Sequence, residues 1–162
     1  FHGGLLGVIL SAIIYSKKSN VSFFKLTDII SCVAPIGIFL GRIANFINGE
    51  LYGKISTLPW AIIFPNGGNI GRHPSQLYEA FFEGIILFIL LNFVFKKYFF
   101  KSPGIISSIF IIFYSLFRFL IEFTREPDAQ LGFIFLNFTL GQIISIIFFI
   151  AGLSLYYKKN ES

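Results

Sequence analysis

Between Gly41 and Gly53 the chain reads GRIANFINGELYG, which joins an arginine, two asparagines and a glutamate to the end of a long apolar run. Hydrocarbon penalises each of those side chains, so a membrane segment that keeps them is a candidate functional site. Arg42 and Asn45 are three apart and share a helix face, with Asn48 and Gly49 about one turn later. An Arg fork, amide donors and accessible backbone suit a phosphate that carries a polyol. Gly41, Gly49 and Gly53 leave room for a close approach to the backbone. The plain alternative for Arg42 is snorkelling to the interface. Arg, Asn, Asn and Glu within nine residues is more than snorkelling requires.

A second group lies further along. Tyr114, Arg118, Glu122 and Arg125 are spaced by four, four and three, so on a helix they form one polar stripe. The spacing predicts an Arg118–Glu122 ion pair. Read structurally, that pair holds helices together; read functionally, Glu122 positions Arg118 for an anionic ligand, and the two readings are compatible. His2 precedes Gly3-Gly4. Its ordinary pKa near ~6.5 makes it a candidate proton acceptor, with an interfacial role as the alternative. His73, beside Pro74, is expected to shape a loop. Glu126 and Asp128 flank Pro127 in an outer turn, where solvated charges are the default.

These groups need elements to hold them. The chain is 55% hydrophobic and 13% charged, with mean hydropathy +0.77 and 23 Phe. Soluble domains run near 45–50% and about 25%, so this composition predicts an integral membrane protein. Apolar segments are expected at about 3–16, 28–47, 77–95, 104–123 and 138–157. All but the first reach the ~20 residues needed to cross a bilayer. Thr27 and Asp28 are placed to cap the second segment, and Pro35 to kink it, with Gly37 and Gly41 giving neighbouring helices room. Pro74-Ser75 suits the start of the third, Pro103-Gly104 breaks the chain before the fourth, and Thr139 with Gln142 has capping-box spacing. In the long connection 48–76, residues 58–65 read as a short strand or interfacial patch, and Asn66-Gly67-Gly68-Asn69 as a turn.

Alternation of the segments puts Lys17, Lys18, Lys25, Lys96, Lys97, Lys101, Lys158 and Lys159 on one side, cytoplasmic by the positive-inside rule. Arg42, Lys54, Arg72, Arg118 and Arg125 fall at the other side or within it. The net charge of +5 is thus a topological signal and not one for nucleic acid. A single cysteine, Cys32, excludes an internal disulfide and a Cys-rich metal site, and no metal-ligand, serine-nucleophile or nucleotide-loop motif is present. Phe1 as first residue, and the lack of any Met, lead to the expectation of a C-terminal part of a longer membrane protein.

The stretch 41–53 resembles the signature of bacterial prolipoprotein diacylglyceryl transferases, with Ala44 where Gly is commoner. Phe1-His2-Gly3-Gly4, Arg72-His73-Pro74-Ser75-Gln76-Leu77-Tyr78-Glu79, and Phe117-Arg118-Phe119 through Arg125-Glu126-Pro127-Asp128 are similar to the same family in order and spacing. The resemblance implies an all-α polytopic protein of the bacterial cytoplasmic (inner) membrane. Five transmembrane helices of seven would be present here as a single catalytic domain over 1–162, with one longer outer loop and the site open to the outer side. It implies transfer of diacylglyceryl from phosphatidylglycerol to the lipobox cysteine of a preprolipoprotein, without cofactor or metal. His2, Arg42 and Arg118 would be catalytic. Arg42, Asn45, Asn48, Gly53 and Arg118 would hold phosphatidylglycerol, and Glu50, Tyr114, Glu122 and Arg125 would support them. Cys32 would take no part. The residues themselves also leave open an anion- or lipid-binding transporter. A lipid-phosphate hydrolase lacks an evident nucleophile or metal ligands.

Overall fold

The computed structural model describes residues 2–126, 133–135 and 138–161; the side chains of residues 2, 5 and 133–135 are outside this description. Five helices make up the described chain: α1 (His2–Ser19), α2 (Phe23–Ile47), α3 (Ser75–Tyr98), α4 (Ile105–Glu122) and α5 (Leu140–Asn160). The last four are long and apolar enough to cross a membrane. Their outer surfaces carry Leu40, Ile47, Phe93, Ile147 and Ile150, whereas Asp28, Gln76, Glu79, Glu83 and Ser108 are wholly buried. Apolar residues outside and ionisable ones inside is the arrangement hydrocarbon imposes.

Helix α3 is built in three parts. Ser75–Glu79 is α-helical, Ala80–Ile86 is a π-helix, and Leu87–Tyr98 is α-helical again. A π segment of seven residues is long, and such segments concentrate at functional sites. Gly84 within it admits α2, because a Cβ there would lie 2.7 Å from Phe39 Cβ. Helices α4 and α5 share the most extensive interface in the protein, and α1 packs against α2. Below the polar end, Cys32, Leu87, Leu91 and Ile106 form an apolar core.

Several helix boundaries depart from the sequence reading. Helix α2 starts at Phe23, so Thr27 and Asp28 lie inside it and neither caps it. The buried Asp28 carboxylate instead caps α4, accepting Gly104 N–H at 2.7 Å and Ser107 N–H at 2.8 Å, with Ser107 Oγ at 2.6 Å. Gly104 takes φ +102, a left-handed turn that aims its N–H at that carboxylate. Pro35 sits inside a continuous α2. A Cβ at Gly37 or Gly41 would meet nothing within 4 Å, so among the described residues neither glycine makes room for a helix.

Phe133–Phe135 and Phe138–Thr139 pair as a short antiparallel hairpin; the apolar pattern had placed Phe138 and Thr139 in the fifth segment and no strand at 133–135. Thr139 then caps α5 through a full capping box with Gln142. The alternation of helices holds. Phe24 at the start of α2 receives the Lys159 ammonium from the end of α5, 3.8 Å above its ring. At the opposite face, the end of α2 meets the start of α3 and the end of α4.

Candidate functional site

Helix α2 ends in the signature stretch. Gly49, at φ +66, donates to Phe46 O at 3.1 Å and Glu50 N donates to Asn45 O at 2.9 Å, the paired bonds of a Schellman cap. Gly49 therefore stops the helix. Leu51 follows at φ +56, a left-handed conformation rare for leucine. The start of α3 holds it there: Gln76 Nε2 donates to Glu50 O at 2.5 Å, and Ser75 Oγ to Leu51 O at 3.0 Å.

Gly53 comes next. Its N–H bonds to His73 O at 2.8 Å, and it forms a bridge with Arg125. A Cβ at Gly53 would lie against Thr124 O and 2.7 Å from His73 Cβ, so its open side is filled by the protein's own backbone. Lys54 N reaches Thr124 O at 2.9 Å, and Lys54 Nζ reaches Phe123 O at 2.9 Å. The long connection thus ties the ends of α2, α3 and α4 into one platform.

Arg72 braces that platform from outside. It donates to Gly67 O at 3.0 Å, to Gly53 O at 3.3 Å and to Glu126 at 3.1 Å, and it lies 4.8 Å over the Tyr52 ring. Tyr52 stacks on buried Phe64. The turn is closed over 64–67 by Gly67 N to Phe64 O, two residues before the expected Asn66–Asn69. His73 does shape the loop, through its carbonyl and a 3.3 Å contact with Tyr78 OH. Trp60 also donates to Tyr78 OH, at 2.7 Å.

Beneath the platform three arginines converge on Glu79. Arg118 and Arg125 both donate to its Oε1, Arg125 at 2.8 Å. Arg42 Nε lies 3.1 Å from Oε2 but is not aligned for a hydrogen bond. Glu122 takes the expected i,i+4 pair with Arg118 at 2.9 Å and faces Arg125 Nε at 3.5 Å. Thr139 Oγ1 completes Glu122 at 3.0 Å, and Gly141 lets that carboxylate approach, since a Cβ would stand 2.9 Å from Oε1. Glu83, one turn inward of Glu79, lies 3.9 Å from Arg42 Nη2.

Arg42 and Arg118 are each less than a fifth exposed, and both carboxylates of α3 are fully buried. The two guanidiniums therefore approach opposite oxygens of one carboxylate and keep a fixed separation. Arg118 has two carboxylate partners and is locked. Arg42 also faces two carboxylates, Glu79 at 3.1 Å and Glu83 at 3.9 Å, but forms no hydrogen bond among the described residues and is held less tightly. A preorganised cationic pair in a low-dielectric setting can stabilise charge that grows on an anionic ligand.

Of the expected site residues, Arg42, Arg118, Glu122 and Arg125 are brought together directly. Asn45 is half-buried on the same helix end, and Asn48 and Glu50 are exposed beside it. The side chains of these three have no protein partner among the described residues. Tyr114 stacks on Phe110 at 5.7 Å and is not hydrogen-bonded to Arg118. The His2 side chain, Phe1, Pro127 and Asp128 lie outside the described residues. Sequence reasoning assigned no role to Glu79 and missed Glu83; the signal was present, since both are acids in an apolar run, spaced by four. Among the described residues no group of His, Cys, Asp or Glu is arranged to hold a metal ion.

A model of the family described as prolipoprotein diacylglyceryl transferase matches residues 1–158. A phosphatidylglycerol--prolipoprotein diacylglyceryl transferase from Rickettsia akari (strain Hartford) is 55% identical over 161 residues, covering 99% of this chain and 62% of the relative. Proteins of the same description from Rickettsia felis and Rickettsia bellii (strain OSU 85-389) are each 54% identical over 99% of this chain. The chain spans about 62% of the length of the curated relatives it matches.

Proposed function

The chain belongs to the prolipoprotein diacylglyceryl transferase family, and from that premise we propose that it carries the phosphate-binding half of such an enzyme's active site. The donor is phosphatidylglycerol and the acceptor is the cysteine thiol in the lipobox of a preprolipoprotein. The sulfur attacks the glyceryl carbon bonded to the phosphate oxygen. A C–S thioether bond forms, the C–O bond breaks, and glycerol phosphate leaves with the electron pair. The thiol proton passes to a base, a role that suits His2.

One observation carries this reading: Arg42 and Arg118, from different helices, are set on the two oxygens of buried Glu79 at one end of the bundle. Charge develops on the phosphate as it leaves, and two preorganised guanidiniums there lower the barrier. Losing either contact would cost roughly 3 kcal/mol or ~100-fold in rate, by analogy with oxyanion donors. Asn45 and Asn48 then face the glycerol head group. Glu50, Tyr114, Glu122 and Arg125 support the arrangement, and Gly53 shapes it by letting the platform close. The site lies at the end of the bundle opposite the lysine clusters, and the positive-inside rule supports the outer side of the bacterial cytoplasmic membrane as its location. Residues 1–162 act as part of one catalytic unit and need no cofactor.

An anion transporter would need a polar route through the bundle. Cys32, Leu87, Leu91 and Ile106 close the core below the arginines, which favours the transferase. The test supplies phosphatidylglycerol and a lipobox peptide to the full-length protein. A diacylglyceryl thioether on the peptide is expected, with none on a peptide whose cysteine is replaced by serine. Folded protein that yields no thioether overturns the reading.

A further inference from the structure

Glu83 is completely buried, and neither of its carboxylate oxygens receives a hydrogen bond. Among the described residues its one ion-pair contact within 4 Å is Arg42 Nη2, at 3.9 Å. A carboxylate in that state is costly to bury and contributes little to holding the fold. It sits in the π segment of α3, where a wide helical turn presents it beside Glu79. Arg42 in turn is the one arginine of the cluster without a hydrogen bond. The two loosest members of the network thus face each other.

The chemistry proposed for the site gives this pairing a purpose. Phosphatidylglycerol is a phosphodiester with a single negative charge. The glycerol phosphate that leaves is a monoester, whose second ionisation lies near ~6, so it carries about −1.5 to −2. A pair of arginines that binds the donor would bind the leaving group more tightly and trap it. The Glu83 carboxylate, when ionised beside Arg42, opposes that, and opposes a dianion more than a monoanion.

We propose that Glu83 is a positioning residue that competes with the bound phosphate for Arg42 and so speeds release of glycerol phosphate; the inference rests on the transferase reading above. Glu83 touches no substrate. It acts by drawing Arg42 back once the C–O bond has broken.

The test compares the full-length protein with Glu83→Gln and Glu83→Asp in phosphatidylcholine nanodiscs. Binding of glycerol phosphate and of phosphatidylglycerol is titrated, and turnover and thermal midpoint are measured. In Glu83→Gln, glycerol phosphate is expected to bind about tenfold tighter, and phosphatidylglycerol less than that, as for loss of one opposing charge. KM and kcat should fall together, with a burst of product in the first turnover, and Glu83→Asp should lie near the wild type. The thermal midpoint should hold or rise, because a buried carboxyl that receives no hydrogen bond has been removed. Unchanged or weaker glycerol phosphate binding, or a lower midpoint with unchanged affinity, overturns the inference while leaving the transferase reading intact. Tighter binding in Glu83→Gln with no thioether from the wild type removes the transferase reading and, with it, the inference that rests on it. A wild type that binds neither ligand removes both.

Discussion

The carboxylate of Asp28, inside α2, accepts the backbone N–H of Gly104 at 2.7 Å, although 76 residues separate them. That bond and its companion to Ser107 fix where α4 begins against α2. Arg42 lies towards the far end of α2 and Arg118 towards the far end of α4. Asp28 therefore sets the axial register of the two arginines from the opposite end of the bundle. Asp28→Ala is expected to destabilise by about 2 kcal/mol, the upper end for a lost cap. Unfolding in detergent checks it; a variant as stable as the wild type would remove Asp28 from the framework.

Glu79 bears more of the cluster than any other residue. Replacing it with alanine leaves Arg118 and Arg125 without their shared acceptor. A loss of about 3–5 kcal/mol is expected, as for breaking a buried ion pair. Expression yield and thermal midpoint should both drop, and Glu79→Gln should fall between the alanine variant and the wild type. Normal stability in Glu79→Ala would show that water or lipid replaces the carboxylate without loss.

The unequal grip on the two arginines predicts unequal consequences. Arg42→Ala should lower turnover by ~100-fold with a smaller drop in thermal midpoint than Arg118→Ala. Arg118→Ala should lower both, because it also leaves Glu79 and Glu122 short of a partner. Equal loss of stability in the two variants would contradict the geometry, and full activity in Arg42→Ala would remove it from the phosphate site.

Two glycines of the signature should separate in the same way. Gly53→Ala places a methyl 2.7 Å from His73 Cβ and 2.8 Å from His73 O, so a cost of about 1–3 kcal/mol is expected from overpacking. Gly41→Ala meets nothing within 4 Å, and its midpoint should match the wild type. If Gly41→Ala nonetheless loses turnover, the open face of α2 is where a ligand lies. If Gly53→Ala is as stable as the wild type, the backbone crossing at that point tolerates displacement.

What the sequence allowed to be read was whatever lies within one helix or one turn. Arg118 and Glu122 pair at i,i+4, Thr139 and Gln142 close their capping box, and the lysines sort the helix ends. What it hid was any partner on another helix. Asp28 looked like a cap for the helix it would begin, because capping rules read only neighbours in sequence; its acceptor role crosses to α4. The glycines of the signature looked like openings for a ligand, whereas Gly49 ends a helix and Gly53 admits a strand of backbone. Glu79 closes the stretch 72–79 at the start of an apolar segment and carried no role of its own in the sequence. Its role emerges only when α2 and α4 are brought against it.

The π segment has a geometric consequence for α3 as a whole. Glu79, Glu83, Leu87 and Leu91 recur at every fourth residue, and all four are wholly buried. On an unbroken α-helix each step of four overshoots a full turn by about 40°, so the last would stand about 120° around the barrel from the first. The wider turns of Ala80–Ile86 unwind that drift. The helix consequently presents a single straight edge to the interior, acidic along its upper half and aliphatic along its lower. Deleting one residue from the segment would restore ordinary winding and turn the acidic and aliphatic halves to face different neighbours.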